Sequence, residues 1–184
     1  MNVWDWRELE TLSGDASGIP PILQKLLRGT YEQRAVAFRA LGGKVVNQGD
    51  LYTSAAAVID TIVDELRSAG CISEYAWLML HEIARGFGCG GQLMVGGHPV
   101  EIEDYCRGRL LEELPIIGRA VRDLSGEGFA YAAFLLGDLG EHSKQAIAIL
   151  EHEVSRSAGS RLESARDQLE VAIELARERE LGEG

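Results

Sequence analysis

The sequence predicts an all-α fold, and three observations lead to that prediction. Apolar residues recur every three or four positions along most of the chain, so that the segment from Asp50 to Gly70 presents one apolar helical face. Glycines fall between the periodic segments, where helices end. No segment is a convincing strand, since the candidate "QLMV" (92–95) is short and isolated between glycines. We therefore predict helices at 4–12, 19–28, 31–46, 50–69, 72–86, 102–124, 127–139, 143–157 and 161–181.

Capping signals support these boundaries. Thr30 with Gln33, and Ser160 with Glu163, have the spacing of a capping box, in which two side chains satisfy backbone amides at a helix start. Pro115 lies within the sixth predicted helix, where it removes a backbone donor and should bend or split the helix. Short connections between the helices favour antiparallel neighbours.

Composition limits the classes of function. The 184 residues fit one domain, 1–184, and the net charge of −11 opposes binding to a nucleic-acid backbone. The start, "MNVWDWRELE", lacks the pattern of a signal peptide, and no apolar run is long enough to cross a bilayer. Three cysteines cannot all pair with one another. We therefore expect a cytoplasmic protein with reduced thiols that contacts neither nucleic acid nor membrane.

Three segments share an alanine followed four residues later by a leucine. They are "AVAFRALGG" (35–43), "YAWLMLHEI" (75–83) and "YAAFLLGDL" (131–139), and the pairs are Ala37/Leu41, Ala76/Leu80 and Ala132/Leu136. The first interval matches helical-hairpin repeats of about 40 residues, and the second is longer by the glycine-rich insert. Small alanines allow close packing of successive repeats, so the pattern predicts helical pairs stacked into a solenoid.

The chain resembles HEAT-like repeat proteins, and in particular small bacterial HEAT-like proteins of which some act as immunity proteins in toxin systems. The similarity lies in "WRELETLSGDASGIPPILQKLL" (6–27) and in "NQGDLYTSAAAVIDTI" (47–62), where Asn47 replaces the histidine usual in that group. The resemblance implies a right-handed α-solenoid of about four HEAT-like hairpins with a Gly-rich insertion loop. It also implies binding of a protein partner, since HEAT-like arrays bind many unrelated proteins.

Two apparent chemical motifs lie around the insert. Gly86–Gly91 spells a dinucleotide-loop pattern, but a helix precedes it where a strand is required. Two His-Glu dyads resemble those of HEAT-like deoxyhypusine hydroxylases, which use four dyads to build a di-iron site. A metal-dependent enzyme is therefore the alternative hypothesis, with these residues as ligands: His81, Glu82, His152 and Glu153.

The insertion loop, about 86–101, is the strongest local anomaly. A long loop in a compact domain is usually functional or disordered, and this one carries Leu93, Met94 and Val95 at its tip. Acidic residues follow directly, at 101, 103 and 104. Apolar side chains beside carboxylates suit capture of a basic protein, although a tolerated surface insertion is the competing interpretation.

These observations favour a non-enzymatic protein-binding module, an immunity protein that neutralises a basic toxin or effector domain through an acidic concave face. We predict no catalytic residue and no cofactor. A general protein-interaction scaffold is a further alternative. The predicted partner-binding residues are Glu82, Arg85, Met94, Glu101, Glu103, Asp104, Asp138 and Glu141.

Overall fold

The computed structural model describes residues 4–88 and 91–182, and the chain is 71% helical. Nine helices lie in these residues: α1 (Ile19–Arg28), α2 (Tyr31–Val45), α3 (Ser54–Ala69), α4 (Glu74–Ala84), α5 (Ile102–Glu112), α6 (Leu114–Asp123), α7 (Gly126–Gly140), α8 (Lys144–Arg156) and α9 (Gly159–Gly182). Six short strands form three antiparallel pairs: β1 (Glu10–Thr11) with β2 (Gly14–Asp15), β3 (Val46–Asn47) with β4 (Asp50–Leu51), and β5 (Gln92–Val95) with β6 (His98–Glu101).

The mainly helical fold predicted from the sequence is confirmed, whereas the predicted helix at 4–12 is wrong. The segment forms turns and the β1–β2 pair instead. The Thr11 hydroxyl donates a hydrogen bond to the Gly14 carbonyl at 2.9 Å and accepts one from the Ser13 amide at 3.2 Å. Such local side-chain bonds compete with helical backbone bonds, and they favour a turn.

Proline and capping residues set several helix ends. The capping box of Thr30 and Gln33 is present at the start of α2. The box predicted at Ser160 and Glu163 is wrong, because α9 already begins at Gly159. As predicted, the helix expected at 102–124 is divided: α5 ends at Glu112, and Pro115 lies in the first turn of α6, where its missing amide is not needed.

The chain divides into two compact units, Met1–Leu110 and Leu111–Gly184. The prediction of a single domain stays a prediction, because two compact units can belong to one domain. In the first unit, α1 packs on α2, and α2 packs on α4. The buried face of α3 supplies much of the core, and Trp77 of α4 is fully buried.

In the second unit, α7, α8 and α9 pack against one another. The contact between α7 and α9 is close because α7 presents glycine there. A Cβ atom on Gly140 would overlap the Ala172 side chain, and one on Gly137 would lie 2.6 Å from the Gln168 Oε1 atom.

The three repeated alanine–leucine pairs are all buried, as a repeat-to-repeat seam requires. Within the ranges described here, no helix combines the length and the apolar character needed to span a membrane.

Candidate protein-binding site

The segment predicted as an irregular glycine-rich loop folds into a β-hairpin, and the prediction of a strandless insert is wrong. Strands β5 and β6 pair in register, with Val95 opposite His98 next to the turn. Gly96 and Gly97 form that turn with φ angles of 58° and 85°. Two successive residues with positive φ allow the tight turn whose twist matches a hairpin, and glycine adopts that conformation without steric cost.

The preceding residues are attached to the β3–β4 pair. The Leu51 amide donates to the Phe87 carbonyl at 3.0 Å, and the Phe87 amide donates to the Gly49 carbonyl at 2.9 Å. A Cβ on Gly86 would lie 2.5 Å from the Leu51 side chain, so this close approach requires glycine. The chain therefore enters the insert from a fixed position at the end of α4.

The base of the β5–β6 hairpin is also held in place. Leu93 is buried, and the Gln92 side-chain amide donates to Glu101 at 2.7 Å. The Ile102 amide donates to the Gly91 carbonyl at 3.0 Å, which continues the ladder beyond the strands. The hairpin is thus an ordered projection rather than the mobile loop that its glycine content suggests.

Met94 is the exposed apolar residue of this hairpin, with 68% of its surface accessible. Its neighbours along the strand are the buried Leu93 and the half-buried Val95. A flexible, polarizable methionine on a fixed element suits contact with a protein surface. This part of the predicted site is well placed for that role.

A groove of about 420 Å³ runs between the hairpin and the N-terminal segment. Its lining residues are Trp4, Asp5, Glu8, Leu9, Thr53 and the consecutive run Gln92–Gly96. Side chains of a strand alternate between its two faces, so a lining of five consecutive residues indicates that the backbone edge of β5 borders the groove. The lining contains two carboxylates and no lysine or arginine.

A buried carboxylate fixes the wall opposite β5. Asp60 of α3 accepts hydrogen bonds from Trp4 Nε1 at 2.9 Å, from the Tyr105 hydroxyl at 2.8 Å and from Arg109 Nε at 2.8 Å. The rings of Trp4 and Tyr105 also meet edge to face, 5.8 Å apart. Because Arg109 neutralises the carboxylate and three donors surround it, its burial is compensated.

Three predicted acidic residues lie together where β6 leads into α5. Glu101 accepts the bond from Gln92, and Glu103 pairs with Arg107 and accepts a bond from the Gly88 amide at 3.3 Å. Asp104 is the most accessible, with 69% of its side chain exposed. Glu103 therefore stabilises the base of the hairpin, whereas Asp104 is largely exposed and lies 3.7 Å from Arg107 Nη1.

The remaining predicted residues lie elsewhere on the two units. Glu82 is half-exposed near the end of α4, and Arg85 directly follows that helix and is exposed. Asp138 and Glu141 belong to the second unit, where Asp138 is half-buried in α7 and Glu141 lies 3.4 Å from His142. The proposal that these four residues lie on a concave face and act together with the four residues of the insert stays a prediction.

The metal alternative receives no support from the side chains. Within residues 4–88 and 91–182, no three His, Cys, Asp or Glu side chains are grouped so that they could hold an ion. Glu153 is already engaged by Arg156 at 3.0 Å and by Arg161 at 2.5 Å. Burial would raise the pKa of Glu153, but hydrogen bonds from Arg161 and then Arg156 outweigh it and lower that pKa.

The cysteines differ in exposure. Cys71 is exposed, whereas Cys106 is buried. Burial, and then the nearby charge of Asp60, raises the pKa of the Cys106 thiol far above its ordinary value. Cys89 lies outside the described residues.

Comparison with known proteins identifies no relative. This chain matches no family model, no curated protein and no solved structure. The resemblance to HEAT-like immunity proteins therefore remains an expectation from the sequence, and the function has to be argued from the site.

Sequence reasoning missed three parts of this site. They are the hydrogen bond from Trp4 to Asp60, the burial of Asp60 in α3, and the open edge of β5. The "VGGH" turn (95–98), flanked by short apolar runs, was the available signal for a hairpin.

Proposed function

We propose that this chain is a non-enzymatic binding protein that holds a basic protein domain, and that it acts as an immunity protein against a basic toxin or effector. The observation that carries the proposal is the anchored β5–β6 hairpin, which presents the exposed side chain of Met94. Asp104, in the first turn of the following helix α5, adds a carboxylate with 69% of its side chain exposed. An apolar anchor within a polar, charged rim is the usual composition of a binding surface.

The overall charge supports the same partner. The chain carries a net charge of −11, and acidic residues outnumber basic residues in both compact units. A field of one sign speeds encounter with a molecule of the opposite sign and disfavours partners of like sign. A basic domain is therefore the partner that this chain meets fastest.

Order at the site also supports binding. The hairpin base is fixed by the Gln92–Glu101 and Gly88–Glu103 hydrogen bonds, and the opposite wall is fixed by Asp60. A preorganised surface loses less conformational entropy on association than a mobile loop does. Inhibition would then follow from occupancy, since a bound chain covers the partner's active cleft.

We also propose that the helices form HEAT-like pairs in a right-handed α-solenoid of about four hairpins. Packing of α2 on α4, and of α7 on α9, supports this because alternate helices meet in such arrays. Burial of the alanine–leucine pairs in α2, α4 and α7 supports it as well.

Affinity capture tests the proposed function. The immobilised chain is expected to retain a basic protein from an extract of the producing organism, and raised salt should release it because the attraction is electrostatic. The double variant Glu101→Lys/Asp104→Lys should weaken retention at least about tenfold, which corresponds to about 1.4 kcal/mol. The purified partner should lose its own activity when mixed with the wild-type chain.

Asp167→Lys combined with Glu163→Lys is the matched control, because it makes the same charge change on exposed residues of α9. It should retain the partner within about threefold of the wild type, since these exposed charges do not belong to the proposed site and are screened by salt. Equal weakening by both double variants would show that the hairpin has no specific role. Capture of a partner whose activity is unaffected would contradict the immunity role.

A further inference from the structure

The two edges of the β5–β6 hairpin differ in what they offer to another chain. Residues next to a two-residue turn form a hydrogen-bonded pair, so the ladder bonds belong to Val95 with His98 and to Leu93 with Val100. The bond from the Ile102 amide to the Gly91 carbonyl has the same alternation. The backbone amides and carbonyls of Gln92 and Met94 therefore point away from β6.

The outer edge of β5 is open in the part of the chain that the structure describes. The β5–β6 sheet has only two strands, and neither the Gln92 nor the Met94 amide takes part in the backbone hydrogen bonds found outside the regular elements. On β6, the corresponding outward position opposite Met94 is Pro99, which has no amide hydrogen. Proline thus blocks the β6 edge, while the β5 edge keeps both donors and acceptors.

This open edge lies along the groove described above. The opposite wall supplies Trp4 and Leu9 as apolar surface and Glu8 as a carboxylate, while the Asp5 carboxylate is already paired with Arg7 at 3.0 Å. An extended segment that paired with β5 would place alternate side chains on its two faces, as any strand does. A segment in which apolar and basic residues alternate offers contacts to both kinds of lining residue.

We propose that β5 takes up an extended, basic segment of a partner protein as an added β-strand. Backbone hydrogen bonds to Gln92 and Met94 hold the segment, and its lysine or arginine side chains are attracted by the Glu8 carboxylate and by the net negative charge of the chain. The inference rests on the proposed function in that the segment belongs to the basic partner. A second copy of this chain is the less suitable occupant, because it brings the same net charge of −11 and the same two carboxylates.

A synthetic peptide tests the inference without knowledge of the partner. The probe is an end-capped, fluorescent peptide of about eight alternating lysine and valine residues, long enough to cover the four-residue strand. Fluorescence anisotropy should show saturable binding to the wild-type chain. The glutamate–valine peptide, and a lysine–valine peptide N-methylated on alternate amides of one edge, should each bind at least about tenfold more weakly.

Two variants at one position separate backbone pairing from side-chain contact. Met94→Pro removes the outward amide while leaving the ladder to β6 intact, whereas Met94→Ala keeps that amide and shortens the side chain. Met94→Pro should weaken the lysine–valine peptide at least about tenfold, and Met94→Ala should weaken it less than about threefold. Circular dichroism and the thermal midpoint check that both variants are folded.

Three results would overturn the inference. They are equal weakening by both variants, full binding of the N-methylated peptide, and failure of the lysine–valine peptide to bind the wild-type chain. Sedimentation that shows a dimer which Met94→Pro converts to monomer would assign the edge to a second copy. The N-methylated peptide keeps the test decisive even if Met94→Pro fails to fold.

The two proposals fail in different ways. If a basic partner is captured and then lost from Glu101→Lys/Asp104→Lys, but Met94→Pro retains it fully, strand addition is wrong and the binding function stands. If the peptide results hold but no basic protein is captured from the producing organism, the edge binds basic strands and the immunity function is wrong.

Discussion

Each compact unit contains a buried carboxylate that arginine binds, Asp60 in the first and Glu153 in the second, and the two clusters join different segments. Asp60 binds Trp4, Tyr105 and Arg109, which are 45 or more residues away in the sequence. Glu153 binds Arg156 and Arg161, which are three and eight residues away. The first cluster joins distant segments around the groove, whereas the second closes a local connection between consecutive helices.

The surroundings of Arg161 explain the second cluster. Its guanidinium lies 3.9 Å from the Phe129 ring centroid and donates to the Val121 carbonyl at 2.9 Å. It also donates to the Leu124 carbonyl, just after α6 ends. Arg161 therefore satisfies carbonyls that the end of a helix leaves without partners. The comparison indicates that buried charge fixes a wall of the groove in the first unit and completes helix packing in the second.

The largest expected effect comes from removing Asp60. Asp60→Ala leaves Arg109 and two other donors without their shared acceptor, so the free energy of unfolding should fall by about 3–5 kcal/mol. Denaturant titration measures that loss. Asp64→Ala on the same helix is the control, and it should cost less than about 1 kcal/mol because its pair with Arg67 is partly exposed. Similar losses for both variants would mean that the Asp60 cluster has no special role.

A smaller effect tests the helix packing of the second unit. Gly140→Ala puts a methyl group into the Ala172 side chain and should destabilise the protein, whereas Gly108→Ala enters open space in α5. Replacing the helical Gly108 should stabilise by up to about 1 kcal/mol. Thermal or denaturant unfolding should then separate the two variants by about 2 kcal/mol. Equal stability of the two variants would show that α7 and α9 can move apart without a loss of unfolding free energy.

The direction in which stability changes with pH tests the role of Glu153 in the second cluster. Because the pKa of Glu153 is lowered in the folded chain, its contribution is fully present above the unfolded value of about 4.3 and is lost as pH falls through the folded pKa. The wild-type unfolding free energy should therefore decrease as pH falls below about 5. Glu153→Gln should show a shallower decrease than wild type, and exposed Glu151→Gln should keep the wild-type slope. A wild-type slope in Glu153→Gln would contradict the assigned role.

The smallest expected effect is on the reactivity of the cysteine thiols. A thiol reagent should modify the exposed Cys71 quickly and the buried Cys106 only after unfolding, because burial and a raised pKa suppress its thiolate. Relative to wild type, Cys71→Ser should lose one fast equivalent and Cys106→Ser none. Cys89 is unchanged in all three proteins and cancels in the comparison. A fast equivalent lost from Cys106→Ser would show that the region around Asp60 opens readily.

Much of the fold could be predicted because periodic apolar spacing is a local signal. Helices α1 to α9 of the described residues fall near their predicted places, and Pro115 divides the long helix at 102–124 into α5 and α6 as expected. The site was harder to predict because its parts depend on contacts between residues that are far apart in the sequence. Met94 and Asp104 were predicted as an apolar tip and a nearby acid, and both are exposed. The Asp60 cluster instead joins residues 4, 60 and 105, which no local pattern connects.

The segment at 4–12 shows why local patterns also fail. Its apolar spacing fits a helix. Hydrogen bonds made by Thr11 within the turn, and the bond between Trp4 and Asp60, instead stabilise turns and the β1–β2 pair. The hairpin at 92–101, within the insert at about 86–101, was missed because the glycines of the insert suggested disorder. Two of these glycines, Gly96 and Gly97, instead provide the positive φ angles that close the hairpin.

Amide hydrogen exchange at single residues of β5 tests the central claim most directly. In the free chain, the amides of Leu93 and Val95 should exchange slowly because they bond to β6, whereas those of Gln92 and Met94 should exchange quickly. Addition of the lysine–valine peptide, or of the captured basic partner, should slow exchange at Gln92 and Met94. Exchange at these two amides that stays fast in the saturated complex would contradict strand addition at β5.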